Sequence, residues 1–155
     1  MVNQRNVICQ PAGAGTSIQM GPDESLLFQA VSEQTGGCFD FFEDVSAPKA
    51  GPPEHVHHQN DESFYILEGD FQIKIGDHVF KATPGTFCFV PRGIPHTWQN
   101  VGTQPGRMLA IFTPGGMEGY FHALSQVLSS PLDMAQVLPI AQKYSSEVVG
   151  PPLGQ

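Results

Sequence analysis

The sequence predicts an all-β fold, a barrel-like or sandwich domain followed by a short helical segment. Two observations lead to this prediction. The 17 glycines and 14 prolines of the 155-residue chain stand between short runs of β-branched and aromatic residues, the pattern of many strands joined by tight turns. These runs continue to about residue 114, beyond which apolar residues recur at helical spacing.

Short apolar runs define the candidate strands. They are residues 16–20, 26–31, 38–45, 55–58, 63–69, 71–75, 78–82, 86–91, 96–100 and 107–112. Gly76 and Asp77 separate the runs FQIKI and HVFKA. A two-residue connection with glycine predicts a hairpin, so these two strands are expected to pair antiparallel.

The C-terminal part of the sequence predicts helices. In MEGYFHALSQVL, Tyr120, Leu124 and Val127 form one apolar stripe at the helical period. A second helix is predicted within PLDMAQVLPIAQKYS, where Pro139 is expected to kink or restart it because proline has no amide hydrogen. The tail EVVGPPLGQ is expected to be extended. We therefore expect a single domain over residues 1–155, with the barrel at about 16–114 and the helices and tail at 115–155.

Composition excludes some classes of partner. Seven basic and 15 acidic residues give a formal net charge of -8, which disfavours nucleic acid and anionic membranes. The sequence has neither the apolar core of a signal peptide nor an apolar run of transmembrane length, so a cytoplasmic location is expected. Cys9, Cys38 and Cys88 are too scattered for a disulfide framework and are expected to pack as small apolar residues.

The segment EHVHHQNDE is rich in groups that ligate metals. In a strand, His55 and His57 face the same side and His58 faces the other. The following glutamine and asparagine are turn formers, so the chain can reverse and bring Glu62 beside His57. Two imidazoles and a carboxylate suit first-row transition ions. On these residues alone, a hydrophilic surface loop remains the alternative.

A second segment, GTFCFVPRGIPHTWQN, strengthens the metal hypothesis. Its turn residues place His96 at the entry of a new strand. Together the two segments resemble the paired signature of the cupins. The first motif, H-x-H-x4-E-x6-G, comprises His55, His57, Glu62 and Gly69, and the second, G-x5-P-x-G-x2-H-x3-N, comprises Gly85, Pro91, Gly93, His96 and Asn100. The family's leading glycine usually stands further from the first histidine than Gly51 does.

The resemblance covers about residues 37–114 and, more loosely, the C-terminal tail. It implies a small antiparallel jelly-roll barrel with a metal ion inside its mouth. The implied ligands are His55, His57, Glu62 and His96. They suit one divalent transition ion, which can be Fe, Mn, Ni, Co, Cu or Zn. By analogy a homodimer is also expected.

Apolar residues near the ligands are candidates for a substrate pocket. Phe64 and Ile66 share strand parity with Glu62, and Trp98 shares it with His96, so all three are expected to face the interior. There they either line a pocket above the metal or pack the barrel. Two further pocket candidates are Phe42 and Phe112.

Several charged residues flank the implied ligands. Glu54 and Asp61 lie off the ligand parity and could orient an imidazole by a hydrogen bond. His58 is expected at the surface, and Arg92 is interpreted as a solvated loop residue.

The C-terminal helix followed by VVGPPL resembles the end of many small bacterial cupins that are similar to quercetin dioxygenases, and this resemblance leads to a functional hypothesis. It is a metal-dependent dioxygenase acting on a small, flat, enolizable or phenolic substrate, with dioxygen as the second substrate. Glu62 would be the catalytic base that takes the substrate's hydroxyl proton. One alternative is an isomerase or decarboxylase of sugars or small acids, which would need several Arg or Lys at the pocket. The other is a non-catalytic protein that binds a metal or a small molecule.

Overall fold

The computed structural model of the protein describes residues 6–128 and 132–154. The strands of the barrel are β1 (Thr16–Gln19), β2 (Glu24–Ala30), β3 (Asp40–Ser46), β4 (Glu54–His57), β5 (Asp61–Glu68), β6 (Phe71–Ile75), β7 (His78–Ala82), β8 (Phe87–Val90), β9 (His96–Asn100), β10 (Gly106–Thr113) and β11 (Ser146–Gly150). The helices are α1 (Ser32–Thr35), α2 (Glu118–Ser125) and α3 (Met134–Lys143).

The strands form two antiparallel sheets. One has the strand order β1-β2-β3-β10-β5-β8 and the other the order β11-β4-β9-β6-β7. The predicted hairpin is confirmed, because Ile75 of β6 pairs with His78 of β7 across a turn in which Gly76 has a φ of 56°. The sheets enclose the core as a jelly-roll barrel, so the predicted all-β fold class is confirmed.

Alternation along the strands builds the core between the sheets. In β10 every second residue from Gly106 to Phe112 is buried, and β3 shows the same period from Asp40 to Ser46. The inward faces meet at fully buried residues such as Phe71. β5 begins at Asp61, two residues earlier than predicted, so Glu62 lies within a strand.

The predicted C-terminal helices are present; of the two effects expected of Pro139, the restart is wrong and the kink stays a prediction. α3 continues through Pro139. Its first turn is capped by the Asp133 carboxylate, which accepts a hydrogen bond from the Ala135 amide at 3.0 Å. Val137 and Ala141 bury the inner face. Because Pro139 lies on the exposed face, water can hydrate the carbonyl that lacks its usual amide donor.

One buried carboxylate connects the barrel to α2. Asp40 at the start of β3 is fully buried, and its Oδ2 atom lies at the N-terminal end of α2, where negative charge is stabilising. Its carboxylate accepts hydrogen bonds from the amides of Ser32, Gly116, Met117 and Glu118 at 2.6 to 3.2 Å. This network fixes α2 against the barrel.

The tail is extended, as predicted, and it also completes a sheet. β11 pairs with β4, with Ser146 opposite His57 and Val148 opposite His55. The assignment of residues 1–155 to a single domain stays a prediction. In the part of the chain that the structure describes, no helix combines the length and apolar character needed to cross a membrane.

The three cysteines are free, as predicted. The expectation that all three pack as apolar residues is wrong for Cys9 and Cys38, which are exposed. Cys88 is partly buried and packs against the core, and burial raises the pKa of its thiol.

Candidate metal centre

Three strands bring four ligating side chains together. His55 and His57 lie on β4, Glu62 on β5 and His96 on β9, and His55 pairs directly with His96 across the β4–β9 ladder. The ligating atoms of all four residues lie within 4.8 Å of one another. Glu62 Oε2 is 2.9 Å from His96 Nε2 and 3.4 Å from His57 Nε2.

The second ring nitrogen of each histidine is held outside the cluster. Where the partner of Nδ1 is a backbone carbonyl, Nδ1 carries a hydrogen, so Nε2 is the nitrogen that faces the cluster and can ligate an ion. Nδ1 of His55 lies 2.8 Å from the carbonyl oxygen of Pro53, and Nδ1 of His96 lies 3.0 Å from that of Ile94. Nδ1 of His57 lies 2.8 Å from Ser146 Oγ. These partners fix the orientation of the rings.

Two glycines of the sequence motifs have identifiable roles in this arrangement. Gly93 has a φ of 83°, and its amide donates a hydrogen bond to the His57 carbonyl at 2.8 Å, so the turn before His96 is tied to β4. At Gly51 a Cβ atom would lie 2.1 Å from the carbonyl oxygen of Trp98. The entry loop therefore needs glycine at this position, although its spacing from His55 departs from the family pattern.

The charge states of the ligands suit a metal ion. Burial alone would raise the pKa of Glu62, but hydrogen bonds from His57 and His96 outweigh it and lower the pKa to about 2. Burial, together with the neighbouring imidazoles, lowers the pKa of His55 to about 3. Burial also acts to lower the pKa of His96, yet the Glu62 carboxylate leaves it raised. An ionised carboxylate and a neutral imidazole are thus already available as ligands at neutral pH.

The donor set fits a first-row transition ion. Three imidazole nitrogens and one carboxylate oxygen are the ligand types that such ions accept, and their close approach fits bonds of about 2.0 to 2.2 Å. The cluster is therefore able to bind a metal ion.

The charged neighbours of the ligands are engaged elsewhere. His58 is exposed, as predicted. Glu54 pairs with Lys74, with Oε1 2.9 Å from Nζ. Asp61 receives two hydrogen bonds from the Arg92 guanidinium, both at 3.0 Å, so Arg92 is ion-paired and not merely solvated. Neither acid contacts a ligand imidazole; Ser146 and two backbone carbonyls orient the rings instead.

A cavity of about 430 Å³ opens onto the cluster. His55, His57 and Glu62 form part of its wall. Of the predicted pocket residues, those that line this cavity are Phe42, Phe64 and Trp98. Ile66 and Phe112 lie instead in the core, at 1% and 0% exposure. The Phe112 ring packs edge-on against His57, with centroids 5.0 Å apart.

The sequence interpretation missed several residues of the cavity wall. The C-terminal helices contribute Tyr120, Phe121, Leu124 and Val137. Three further acids line the cavity: the exposed Asp23, and Glu24 and Asp44. Strand parity could have identified Asp44, because it lies two residues from the inward-facing Phe42 on β3. No local pattern places Ser146 against His57, since these residues are 89 positions apart.

A jelly-roll barrel that holds three histidines and a glutamate on its inner wall is the arrangement that the resemblance to the cupins implies. Residues 43–112 match the family described as Cupin domain. The chain resembles quercetin dioxygenases: it is 28% identical over 118 residues to the quercetin 2,3-dioxygenase of Bacillus subtilis, a match that covers 73% of this chain and 33% of that protein.

Solved structures show the same fold. An RmlC-like cupin from Shewanella frigidimarina has a TM-score of 0.64 at 16% identity, covering 75% of this chain and 98% of that one. A predicted oxalate decarboxylase from Thermotoga maritima has a TM-score of 0.61 at 19% identity, covering 70% and 99%. The chain spans 33 to 63% of the length of the curated relatives it matches.

Proposed function

We propose that the protein is a metal-dependent dioxygenase that acts on a small, flat, enolizable or phenolic molecule. The observation that carries this proposal is the position of the cluster of His55, His57, Glu62 and His96 at the wall of an aromatic-lined cavity of about 430 Å³. Similarity to a quercetin 2,3-dioxygenase supports the same reaction class.

Different residues of the cavity would have different roles in such a reaction. A bound divalent transition ion, Fe, Mn, Ni, Co, Cu or Zn, would supply Lewis acidity and a template for the reacting oxygens. Glu62 would accept the hydroxyl proton of the substrate, since it is the one carboxylate of the cluster. Phe42, Phe64 and Trp98 form the apolar wall that holds a flat ring and excludes water.

The charges around the cavity favour a weakly charged substrate. Among the lining residues that the structure describes, Lys49 is the single lysine or arginine, and its side chain is exposed. An isomerase or decarboxylase of anionic sugars or acids would need several cationic groups to hold its substrate. The lining therefore favours a phenolic or enolizable molecule over these alternatives.

Oxygen uptake tests the proposal. We expect the wild-type protein, reconstituted in turn with Fe, Mn, Ni, Co and Cu, to consume dioxygen with at least one member of a panel of flavonols and diketones. Glu62→Gln should lower the rate by about 10² to 10⁴ because it removes the base, and should keep the fold. His58→Ala is the matched control, since His58 is an exposed neighbour outside the cluster.

Two outcomes would change the assignment. Binding of a flavonol without turnover under any metal would favour a non-catalytic binding protein. Equal rates for the wild type and Glu62→Gln would leave Glu62 as a ligand and require another proton acceptor.

We also propose that the chain forms a homodimer in the cytoplasm. β7 and β8 end their respective sheets, and this end of the barrel exposes several large apolar side chains. They are Tyr65, Val79, Phe80, Phe87 and Phe89. A second copy would cover both the strand edges and these residues, and light scattering of the purified protein tests the mass.

The free cysteines, two of them exposed, suit a reducing compartment.

A further inference from the structure

Two acids outside the metal cluster share one patch of the cavity wall. Glu24 lies at the start of β2 and Asp44 near the end of β3, and both face the cavity. In the β2–β3 ladder Glu24 pairs with Ser46, and Leu26 pairs with Asp44. The two acids are therefore diagonal neighbours on one face, and each affects the pKa of the other.

The patch contains buried oxygen atoms that lack a hydrogen-bond partner. Asp44 is 4% exposed and Ser46 is 0% exposed. Within residues 6–128 and 132–154, Asp44 Oδ1 and Ser46 Oγ are the buried side-chain atoms without a partner. Proteins satisfy nearly all such atoms, because a buried polar atom without a partner is destabilising. An unpartnered oxygen on a side chain that lines a ligand-sized cavity indicates a ligand that donates a hydrogen bond.

The patch and the metal cluster lie at different levels of the same sheet. Across β10, Glu62 and Asp40 both pair with Phe112, whereas Asp44 pairs with Met108, four residues away along the strand. Phe42 lies between these two levels on β3 and lines the cavity. A ligand that stacks on Phe42 can therefore reach the metal cluster with one end and Asp44 with the other.

Protonation of the pair also favours a neutral hydrogen-bond donor. Burial raises the pKa of Glu24 to about 7, although its hydrogen bond with Asp44 acts in the other direction, and burial together with the Glu24 charge raises the pKa of Asp44 well above its ordinary value. The pair therefore retains a proton near neutral pH and does not carry two full negative charges. A hydroxyl group suits such a site better than a cation, which would attract two ionised carboxylates.

We infer that Glu24 and Asp44 form a second anchor of the cavity, which binds a hydroxyl group at the end of an aromatic ligand remote from the metal cluster. The inference rests on the proposed function for the chemistry of the ligand's metal-bound end, and it adds the group that binds the opposite end of the ligand. The ligand class is a flat molecule that carries an enol or phenol oxygen at one end and a hydroxyl donor at the other.

A pair of matched ligands tests the anchor without requiring turnover. 3-Hydroxyflavone carries only the metal-binding end, and 3,4′-dihydroxyflavone adds a hydroxyl on the distal ring. Trp98 is the single tryptophan of the chain and lines the cavity, so quenching of its fluorescence reports binding to the metal-loaded protein. We expect the distal hydroxyl to tighten binding to the wild type about ten-fold.

Substitutions of Glu24 and Asp44 test whether the tighter binding of the dihydroxyflavone depends on these two acids. Asp44→Ala should reduce the ten-fold preference to less than about three-fold; the preference is the ratio of two affinities measured on the same variant, so a general change in binding cancels. Glu24→Gln, which keeps the size of the side chain, should weaken the preference and guards against misfolding of the alanine variant. Glu43→Gln is the matched control, because Glu43 neighbours Asp44 on β3 but pairs with Arg107, at 3.0 Å, and does not line the cavity.

The outcomes separate this inference from the proposed reaction. An unchanged preference in both Asp44→Ala and Glu24→Gln overturns the anchor, as does failure of both flavones to bind the wild type. A ligand with an aminomethyl group in place of the distal hydroxyl that binds more than ten-fold tighter also overturns it, because the site would then select a cation. A preference that disappears in the variants supports the anchor even if the wild type never consumes dioxygen, in which case only the reaction fails.

Discussion

Two glutamates line the same cavity and have opposite acid–base properties. Burial acts to raise the pKa of both, yet the pKa of Glu62 is lowered to about 2, whereas that of Glu24 is raised to about 7. Glu62 receives hydrogen bonds from two imidazoles, while the polar partner of Glu24 is a second acid, Asp44. The partner of a buried carboxyl group, and not burial alone, thus decides which charge state the cavity holds.

The metal cluster and the Glu24 and Asp44 pair also differ in how many of their polar atoms have hydrogen-bond partners. Each imidazole of the metal cluster has a fixed partner at Nδ1, so the ligands are oriented before an ion binds. In the Glu24 and Asp44 pair one buried oxygen has no partner within the described residues. The first region is organised by the protein, and the second is completed by what enters the cavity.

Removal of a metal ligand should have the largest effect. His57→Ala takes away a buried imidazole at the centre of the cluster, so we expect metal affinity to fall by more than about 100-fold, as measured by elemental analysis and by metal titration. His58→Ala should leave the metal content unchanged, because His58 faces away. Equal losses from the two substitutions would contradict the assignment of the two faces of β4.

A smaller loss of metal affinity is expected when a ligand is kept but the hydrogen bond that orients it is removed. Ser146→Ala removes the partner of His57 Nδ1, which is 2.8 Å away. Loss of such a partner typically weakens metal binding by about 10 to 100-fold, and we expect an effect of that size in a metal titration. Ser146→Thr should restore most of the affinity. The next residue of β11 supplies the control: Glu147 is exposed, so Glu147→Gln should leave the metal affinity unchanged. If Ser146→Ala lowers the metal affinity no more than Glu147→Gln does, β11 does not orient His57.

Local spacing explains why the metal cluster could be predicted from the sequence. Strand parity places His55 and His57 on one face, and a short reversal brings Glu62 back to them, so three ligands lie within eight residues. The barrel strands follow from the same kind of local pattern, and the observed bounds differ from the predicted ones by two residues or fewer for most strands.

Contacts between distant segments explain what the sequence did not show. Ser146 and Asp40 act through partners tens of residues away, and neither belongs to a motif. The pairing of Glu24 with Asp44 depends on the β2–β3 register, which parity does not fix. Ile66 and Phe112 face inward as parity predicts, but the filling of the barrel places them in the core instead of on the cavity wall.

The smallest predicted effect concerns the pH dependence of stability. Because the pKa of Glu24 is about 7 in the folded chain, compared with an ordinary value of 4.5, the folded state holds more protons than the unfolded state between these pH values. Stability from this group is therefore greatest below about pH 4.5 and is lost as the pH rises toward 7. Since Glu24 is still partly exposed, we expect the loss to be on the order of 1 to 2 kcal/mol.

Chemical denaturation of the wild type and Glu24→Gln at pH 5 and pH 8, with the same metal loading, isolates this contribution. The free energy of unfolding of the wild type should fall by about 1 to 2 kcal/mol more than that of Glu24→Gln over this interval, because glutamine cannot titrate. Glu43→Gln should keep the wild-type slope, since Glu43 is paired with Arg107 on the opposite face of β3. Parallel slopes for the wild type and Glu24→Gln would show that Glu24 titrates like an ordinary acid, and the contrast with Glu62 would then rest on the imidazoles alone.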